Sequence, residues 1–63
     1  MSTHSLAELL RSVPDSYEFF VDYVSDYADH FGVTDEIVSF IEGNAGATSS
    51  DVIIELHRLV HGE

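Results

Sequence analysis

Residues 16–32 read SYEFFVDYVSDYADHFG, and this stretch decides the fold of the 63-residue chain. Apolar side chains recur in it every three or four residues, which predicts an α-helix with one broad apolar face. The members of that face are Tyr17, Phe20, Val21, Val24, Tyr27, Ala28 and Phe31. Asp15 or Ser16 is placed to cap the start of the helix, and Gly32 suits the left-handed residue that closes it. The sequence therefore predicts a long helix over residues 16–31.

The rest of the chain repeats this helical period in three shorter segments. Pro14 separates the first segment from the long helix, and Gly43 ends the segment that follows it. No segment alternates between apolar and polar residues as a strand does. The sequence predicts an all-α fold without a sheet, in one small domain over residues 1–63. Its four short helices form a compact bundle, at approximately residues 5–13, 16–31, 34–42 and 49–61.

Cap-forming residues support two of these helix starts. Ser5 and Glu8 have the spacing of a capping box. The run Thr48-Ser49-Ser50-Asp51 supplies hydroxyl groups that cap a helix, together with an acid that suits its first turn. Such side chains accept hydrogen bonds from the backbone N–H groups that a helix leaves unpaired at its start.

Size and composition limit what such a chain can be. Cysteine is absent, so neither disulfides nor thiolate metal sites contribute. With 44% hydrophobic residues the chain is too apolar for disorder driven by charge, and we expect a stability of about 3–5 kcal/mol. No apolar run reaches the roughly 18 residues of a membrane span, and the start Met1-Ser2-Thr3-His4 lacks the basic residues of a signal peptide. We expect a cytoplasmic protein that does not associate with membranes.

The charge of the chain limits the kinds of molecule that it can bind. Twelve carboxylates face only two basic residues, Arg11 and Arg58, which gives a formal net charge of -10. Such a domain repels nucleic-acid backbones and attracts basic molecules. We therefore expect a basic protein or peptide as the partner and no direct binding of nucleic acid. The same charge opposes self-association, which predicts a monomer or a weak homodimer.

Four acids fall on one side of the long helix without a basic residue among them, and we call this set the acidic stripe: Glu18, Asp22, Asp26 and Asp29. Like charges one turn apart destabilise a helix by about 0.2–0.5 kcal/mol per pair. One interpretation of the stripe is a solvated outer face, and another is a docking surface for a basic partner. Its spacing of about 6 Å also resembles that of phosphates, which makes nucleic-acid mimicry a third interpretation.

Two apolar residues fall outside the predicted core faces. Phe19 lies close to the acidic stripe, and Ile54 lies opposite the apolar face of the last helix. We expect burial within the fold for Phe19, whereas burial and contact with a partner are equal alternatives for Ile54. Together with the acidic stripe, Phe19 and Ile54 make up the predicted partner-binding residues.

His57 and His61 have the i, i+4 spacing that can bind a metal on a helix, but the segment lacks the Glu of a zinc-hydrolase motif. A third ligand would have to come from His4, His30 or an acid elsewhere. Histidines near the end of a helix also suit its dipole. We therefore predict neither a metal nor another cofactor, with the pair of His57 and His61 as the alternative. No catalytic constellation is readable either, and the chain is not predicted to be an enzyme.

Two resemblances bear on function. Residues 37–56 resemble the first two helices of a helix-turn-helix domain, through Phe40-Ile41-Glu42-Gly43-Asn44 and the following Gly46-Ala47-Thr48-Ser49. This resemblance implies a helix–loop–helix geometry, while Arg58 alone provides almost no means of positioning phosphates. The whole chain resembles a group of small uncharacterised helical proteins of Gram-positive bacteria, through Ser16-Tyr17-Glu18-x-Phe20-Val21 and residues 47–53. The second resemblance implies no activity.

The leading hypothesis is a small acidic protein-interaction module that binds a basic partner, as an adaptor, inhibitor or immunity-type protein. Its basis is the net charge of -10 together with the acidic stripe. The alternative is a nucleic-acid-related regulator, acting either as a DNA mimic or as a truncated helix-turn-helix protein.

Overall fold

The computed structural model describes residues 5–62, and this part of the chain forms four α-helices and no strand. They are α1 (Leu6–Arg11), α2 (Glu18–Phe31), α3 (Thr34–Gly43) and α4 (Ser49–His61). The helices α2 and α3 pack on each other, and both also contact α1 and α4. The predicted all-α bundle of four short helices is confirmed, although α1 and α2 are each shorter than predicted.

One apolar core joins the four helices, and each helix contributes to it at the spacing that predicted it. The largest fully buried side chains are Phe20, Leu10, Ile37, Leu56, Val24 and Val52. Burying a side chain of this size contributes about 1.5–3 kcal/mol, so these six account for much of the driving force for folding. The predicted core face of α2 is too wide at both ends, because Tyr17 is 51% exposed and Phe31 is 47% exposed.

The start of α2 differs from the prediction because Asp15 serves another helix. The residue that precedes α2 is Tyr17, whose side chain makes no capping hydrogen bond. Asp15 instead accepts two hydrogen bonds from Ser49, from its backbone N–H at 2.6 Å and from its hydroxyl at 3.0 Å. Ser49 is the buried first residue of α4, where a backbone N–H has no partner within its own helix. These bonds, above all the one from the Ser49 N–H, lower the pKa of Asp15.

The remaining caps follow the predicted chemistry. The Ser5 hydroxyl accepts a hydrogen bond from the Glu8 N–H at 3.2 Å at the start of α1. Thr48 and Asp51 form a capping box at the start of α4, with each side chain accepting from the other residue's backbone N–H at 3.3 and 3.2 Å. Gly32 closes α2 with φ of 70°, a left-handed conformation that a side chain would strain.

The helix α2 dominates the surface of the molecule. Its 14 residues extend about 21 Å, in a molecule whose longest dimension is 27 Å. Its outer side is therefore a long, nearly continuous strip of surface. Among residues 5–62, none of the helices combines the length and the apolar character that crossing a membrane requires.

Candidate functional site

The outer side of α2 carries four aromatic rings at intervals of four residues, and we call them the aromatic ladder: Phe19, Tyr23, Tyr27 and Phe31. Neighbouring ring centroids lie 6.4, 5.4 and 4.9 Å apart along the ladder. Residues four apart lie on adjacent turns of a helix, so the rings contact one another in sequence. Phe19 at the start of the ladder is 74% exposed, and Phe31 at its end is about half exposed.

Three acids run along one side of the ladder. Asp22, Asp26 and Asp29 line an open surface groove together with the four rings and His30, and we call it the α2 groove. All three carboxylates are exposed. Within residues 5–62, no ion pair or side-chain hydrogen bond reaches any of them. The groove therefore has an aromatic floor and an uncompensated negative rim, a combination that attracts cations.

The helix α4 supports the other side of the ladder. The Tyr23 hydroxyl and His57 Nε2 share a hydrogen bond of 2.9 Å. The His57 ring also lies edge-on to Tyr27 with a centroid separation of 5.7 Å, and His61 stands 5.8 Å beyond His57. These contacts fix the middle of the ladder against α4, so the floor of the groove is formed before any partner arrives.

The structure brings four of the six predicted partner-binding residues together. Phe19, Asp22, Asp26 and Asp29 all line the α2 groove. The expected burial of Phe19 is wrong, since 74% of its surface is exposed. The buried residues of α2 are Phe20, Val21, Val24 and Ala28, which share one side of the helix, and Phe19 lies 100° beyond Phe20 on the far side of that arc.

The other two predicted residues lie outside the groove. Glu18 is the first residue of α2, and its Oε2 is 4.0 Å from Nη2 of Arg11. Ile54 is 65% exposed on α4, about one turn before His57. Of the two alternatives for Ile54, burial within the fold is therefore wrong, and contact with a partner stays a prediction.

The sequence reasoning missed half of the groove. It left Tyr23 and His30 out of the site and assigned Tyr27 and Phe31 only to the core. The signal that could have found them is the interval of four residues between the aromatic side chains, which places them on successive turns of one helix face.

The two histidines of the alternative metal site, His57 and His61, make other contacts in the structure. Nε2 of His57 is the atom that bonds to Tyr23, so a metal binding at that nitrogen would have to displace the hydroxyl group. His30, a candidate third ligand, packs edge-on against Phe31 instead. In the part of the chain that the structure describes, no three His, Cys, Asp or Glu side chains are grouped to hold a metal. His4 lies outside the described residues.

Comparison with protein-family models, with curated protein sequences and with solved structures gives no match for this chain. The resemblances to helix-turn-helix domains and to helical proteins of Gram-positive bacteria therefore stay predictions. The case for a function comes from the α2 groove itself.

Proposed function

We propose that this chain is a small protein-interaction module that binds a basic protein or peptide through the α2 groove. One observation carries the proposal: an aromatic ladder with exposed ends and three carboxylates without partners share one face of the longest helix. Neither feature alone would suffice, because scattered apolar side chains and solvated acids are common on protein surfaces.

The two features supply different parts of recognition. Aromatic side chains are enriched at the centres of interfaces, because they bury a large area and lose little conformational freedom. Carboxylates at the rim steer an oppositely charged partner and raise its association rate. Acids placed one turn apart without a cation destabilise the isolated helix, and a bound cation would relieve that repulsion.

The proposal includes the kind of protein that would use such a groove. A module of this size acts by occupying a partner's basic surface, as an adaptor, an inhibitor or an immunity-type protein in the cytoplasm of a bacterium. The open shape of the groove suits docking against another surface better than enclosing a small substrate.

The test is a titration of the protein with a synthetic basic peptide. A helix-forming peptide of about 16 residues would cover the ladder, whose ends are about 18 Å apart along the helix axis. Binding measured by calorimetry should weaken steeply as salt rises, since rim charges contribute through screened electrostatics. The triple variant Asp22→Asn, Asp26→Asn and Asp29→Asn should weaken binding by about ten-fold or more.

A control variant separates a site from bulk charge. The control also removes three negative charges, but from exposed positions on α3, through Asp35→Asn, Glu36→Gln and Glu42→Gln. If both triple variants weaken binding equally, the peptide responds only to net charge and the groove is not the site. A DNA duplex serves as a second ligand, and its binding at physiological salt would favour the helix-turn-helix form of the nucleic-acid-related alternative, since a DNA mimic would itself repel DNA.

A further inference from the structure

The geometry points to arginine as the residue that the α2 groove selects: a helix of the partner places two arginines, four residues apart, over the first half of the aromatic ladder. This inference rests on the proposed function and specifies the chemistry of its partner. It concerns two ring and carboxylate pairs, Phe19 with Asp22 and Tyr23 with Asp26.

The first half of α2 repeats one local arrangement twice. An aromatic ring is followed three residues later by an aspartate, in Phe19 and Asp22 and again in Tyr23 and Asp26. Side chains three apart on a helix are neighbours, with Cβ atoms about 5–6 Å apart. All four side chains line the same groove. Each pair can therefore present a ring face and a carboxylate to the same cation.

The orientation of the two rings favours a flat cation. The planes of Phe19 and Tyr23 are within 16° of parallel, with centroids 6.4 Å apart. A guanidinium group is planar, stacks on aromatic faces and binds a carboxylate through two parallel hydrogen bonds. The ammonium group of lysine is compact and strongly hydrated, so it gains less from either contact.

The spacing of the two pairs favours a helical partner. They are four residues apart on α2, about 6 Å along its axis, and two arginines at i and i+4 on another helix have the same separation. An extended segment would gain no backbone hydrogen bonds from the protein, because residues 5–62 form no strand whose edge could pair with it. A helix satisfies its own backbone and needs only side-chain contacts.

The second half of the ladder breaks the arrangement and so provides an internal control. Three residues after Tyr27 comes His30, which packs edge-on against Phe31 with a centroid separation of 4.8 Å. Arginine selection should therefore depend on Phe19 and not on Phe31, although both rings are exposed in the same groove.

The experiment compares three helix-forming peptides of about 16 residues with equal charge. The first carries two arginines at i and i+4, the second replaces both with lysine, and the third moves the arginines to i and i+2, on opposite sides of the helix. Arginine and lysine have nearly equal helix propensity, so helicity is matched. Calorimetry with the full chain should show the first peptide binding on the order of ten-fold tighter than either of the others.

Two protein variants then localise the preference. Phe19→Leu keeps an apolar side chain but removes one of the two ring faces, so the ratio of lysine to arginine dissociation constants should fall from about ten to about three. Phe31→Leu should leave that ratio unchanged. Both positions are exposed, and circular dichroism would verify that the helices persist.

The outcomes separate the two proposals. If the arginine and lysine peptides bind equally and both are weakened by the Asp22, Asp26 and Asp29 triple variant, the arginine inference is wrong and the proposed function stands. If neither peptide responds to that variant, both are wrong. Equal binding of the i, i+2 peptide would contradict the helical spacing, and an unchanged ratio in Phe19→Leu would remove the ring from the mechanism.

Discussion

Phe20 and Phe19 are neighbours in the chain, yet Phe20 is 1% exposed on the core side of α2 and Phe19 is 74% exposed on its groove side. Two aspartates show the same contrast. Asp15 accepts two hydrogen bonds from Ser49, whereas Asp26 lies in the groove among like charges. The same two residue types thus occur in two different environments. Phe20 and Asp15 stabilise the fold, whereas Phe19 and Asp26 lie on the surface that is open to a partner.

The difference teaches what each side contributes. A buried ring and a carboxylate that meets hydrogen-bond donors both stabilise the folded state. An exposed ring adds little to stability, and a carboxylate one turn from other carboxylates lowers it. For a domain of this size we expect a total stability of only about 3–5 kcal/mol. Repulsion in the groove lowers this stability by a noticeable fraction, which a function of the groove would explain. Substitutions at the matched positions can break or sharpen this comparison.

The phenylalanines should give the largest contrast. Phe20→Ala removes a ring from the core and leaves a cavity, which costs about 3–5 kcal/mol, comparable with the whole stability of the domain. We expect the variant to be largely unfolded at 25 °C. Phe19→Ala should change the free energy of unfolding by no more than about 0.5 kcal/mol. Urea unfolding followed by circular dichroism measures the effect of Phe19→Ala, and the circular dichroism spectrum without urea shows whether Phe20→Ala is folded.

A large loss in Phe19→Ala would contradict the comparison, because it would show that the exposed ring supports the core. Phe20→Leu is a milder version of the core substitution and keeps part of the buried volume. It should unfold within the measurable range and so give a number where Phe20→Ala gives none.

The aspartate at the helix junction should give the next largest effect, smaller than the loss of Phe20. Asp15→Asn removes the negative charge of the carboxylate that accepts hydrogen bonds from the N–H and the hydroxyl of Ser49. Because those bonds lower the pKa of Asp15 below its ordinary value of 3.8, they stabilise the fold above that pH. This contribution is lost as the pH falls through the lowered pKa of the folded state.

The measurement is the difference in Tm between the wild type and Asp15→Asn from about pH 7 to pH 2. The wild type should be more stable at neutral pH, and the difference should shrink only below about pH 4. Taking the difference removes the effect of the other acids, which titrate in both proteins. A difference that is already absent at pH 7 would show that the hydrogen bonds, and not the charge, hold the junction.

The contrast between these residues also marks what could be predicted from the sequence. The helical period predicted four helices, and the angle between successive residues put Asp22, Asp26 and Asp29 on one face, because both depend on local geometry. The bond between Asp15 and Ser49 joins residues 34 positions apart, so the fold must exist before it can be seen.

The predicted burial of Phe19 was wrong for a related reason. Apolar residues occupy so many positions of α2 that either of two helix faces could pack into the core. The positions of the neighbouring helices decide which face is buried. Only the packed structure shows that α4 reaches Tyr23 through His57 and leaves Phe19 uncovered. The acids of the groove were therefore predictable, and so was the spacing of its aromatic rings, whereas the exposure of Phe19 could be seen only in the packed structure.

The smallest effect should come from the groove aspartate, and its sign should be opposite to that of Asp15. Asp26→Asn removes repulsion from Asp22 at i−4 and from Asp29 at i+3, so it should raise the free energy of unfolding by about 0.5 kcal/mol at low salt. Aspartate and asparagine have similar helix propensities, which leaves charge as the main difference.

Salt provides the control for this last prediction. At 1 M salt the screening length falls to about 3 Å, so the stability gained in Asp26→Asn should nearly vanish. A gain that survives at high salt would have to come from packing or helix propensity and would contradict repulsion as its cause. A loss of stability at low salt would mean that Asp26, like Asp15, already has a favourable partner, and the groove would then lack the unpaired charge that its proposed function needs.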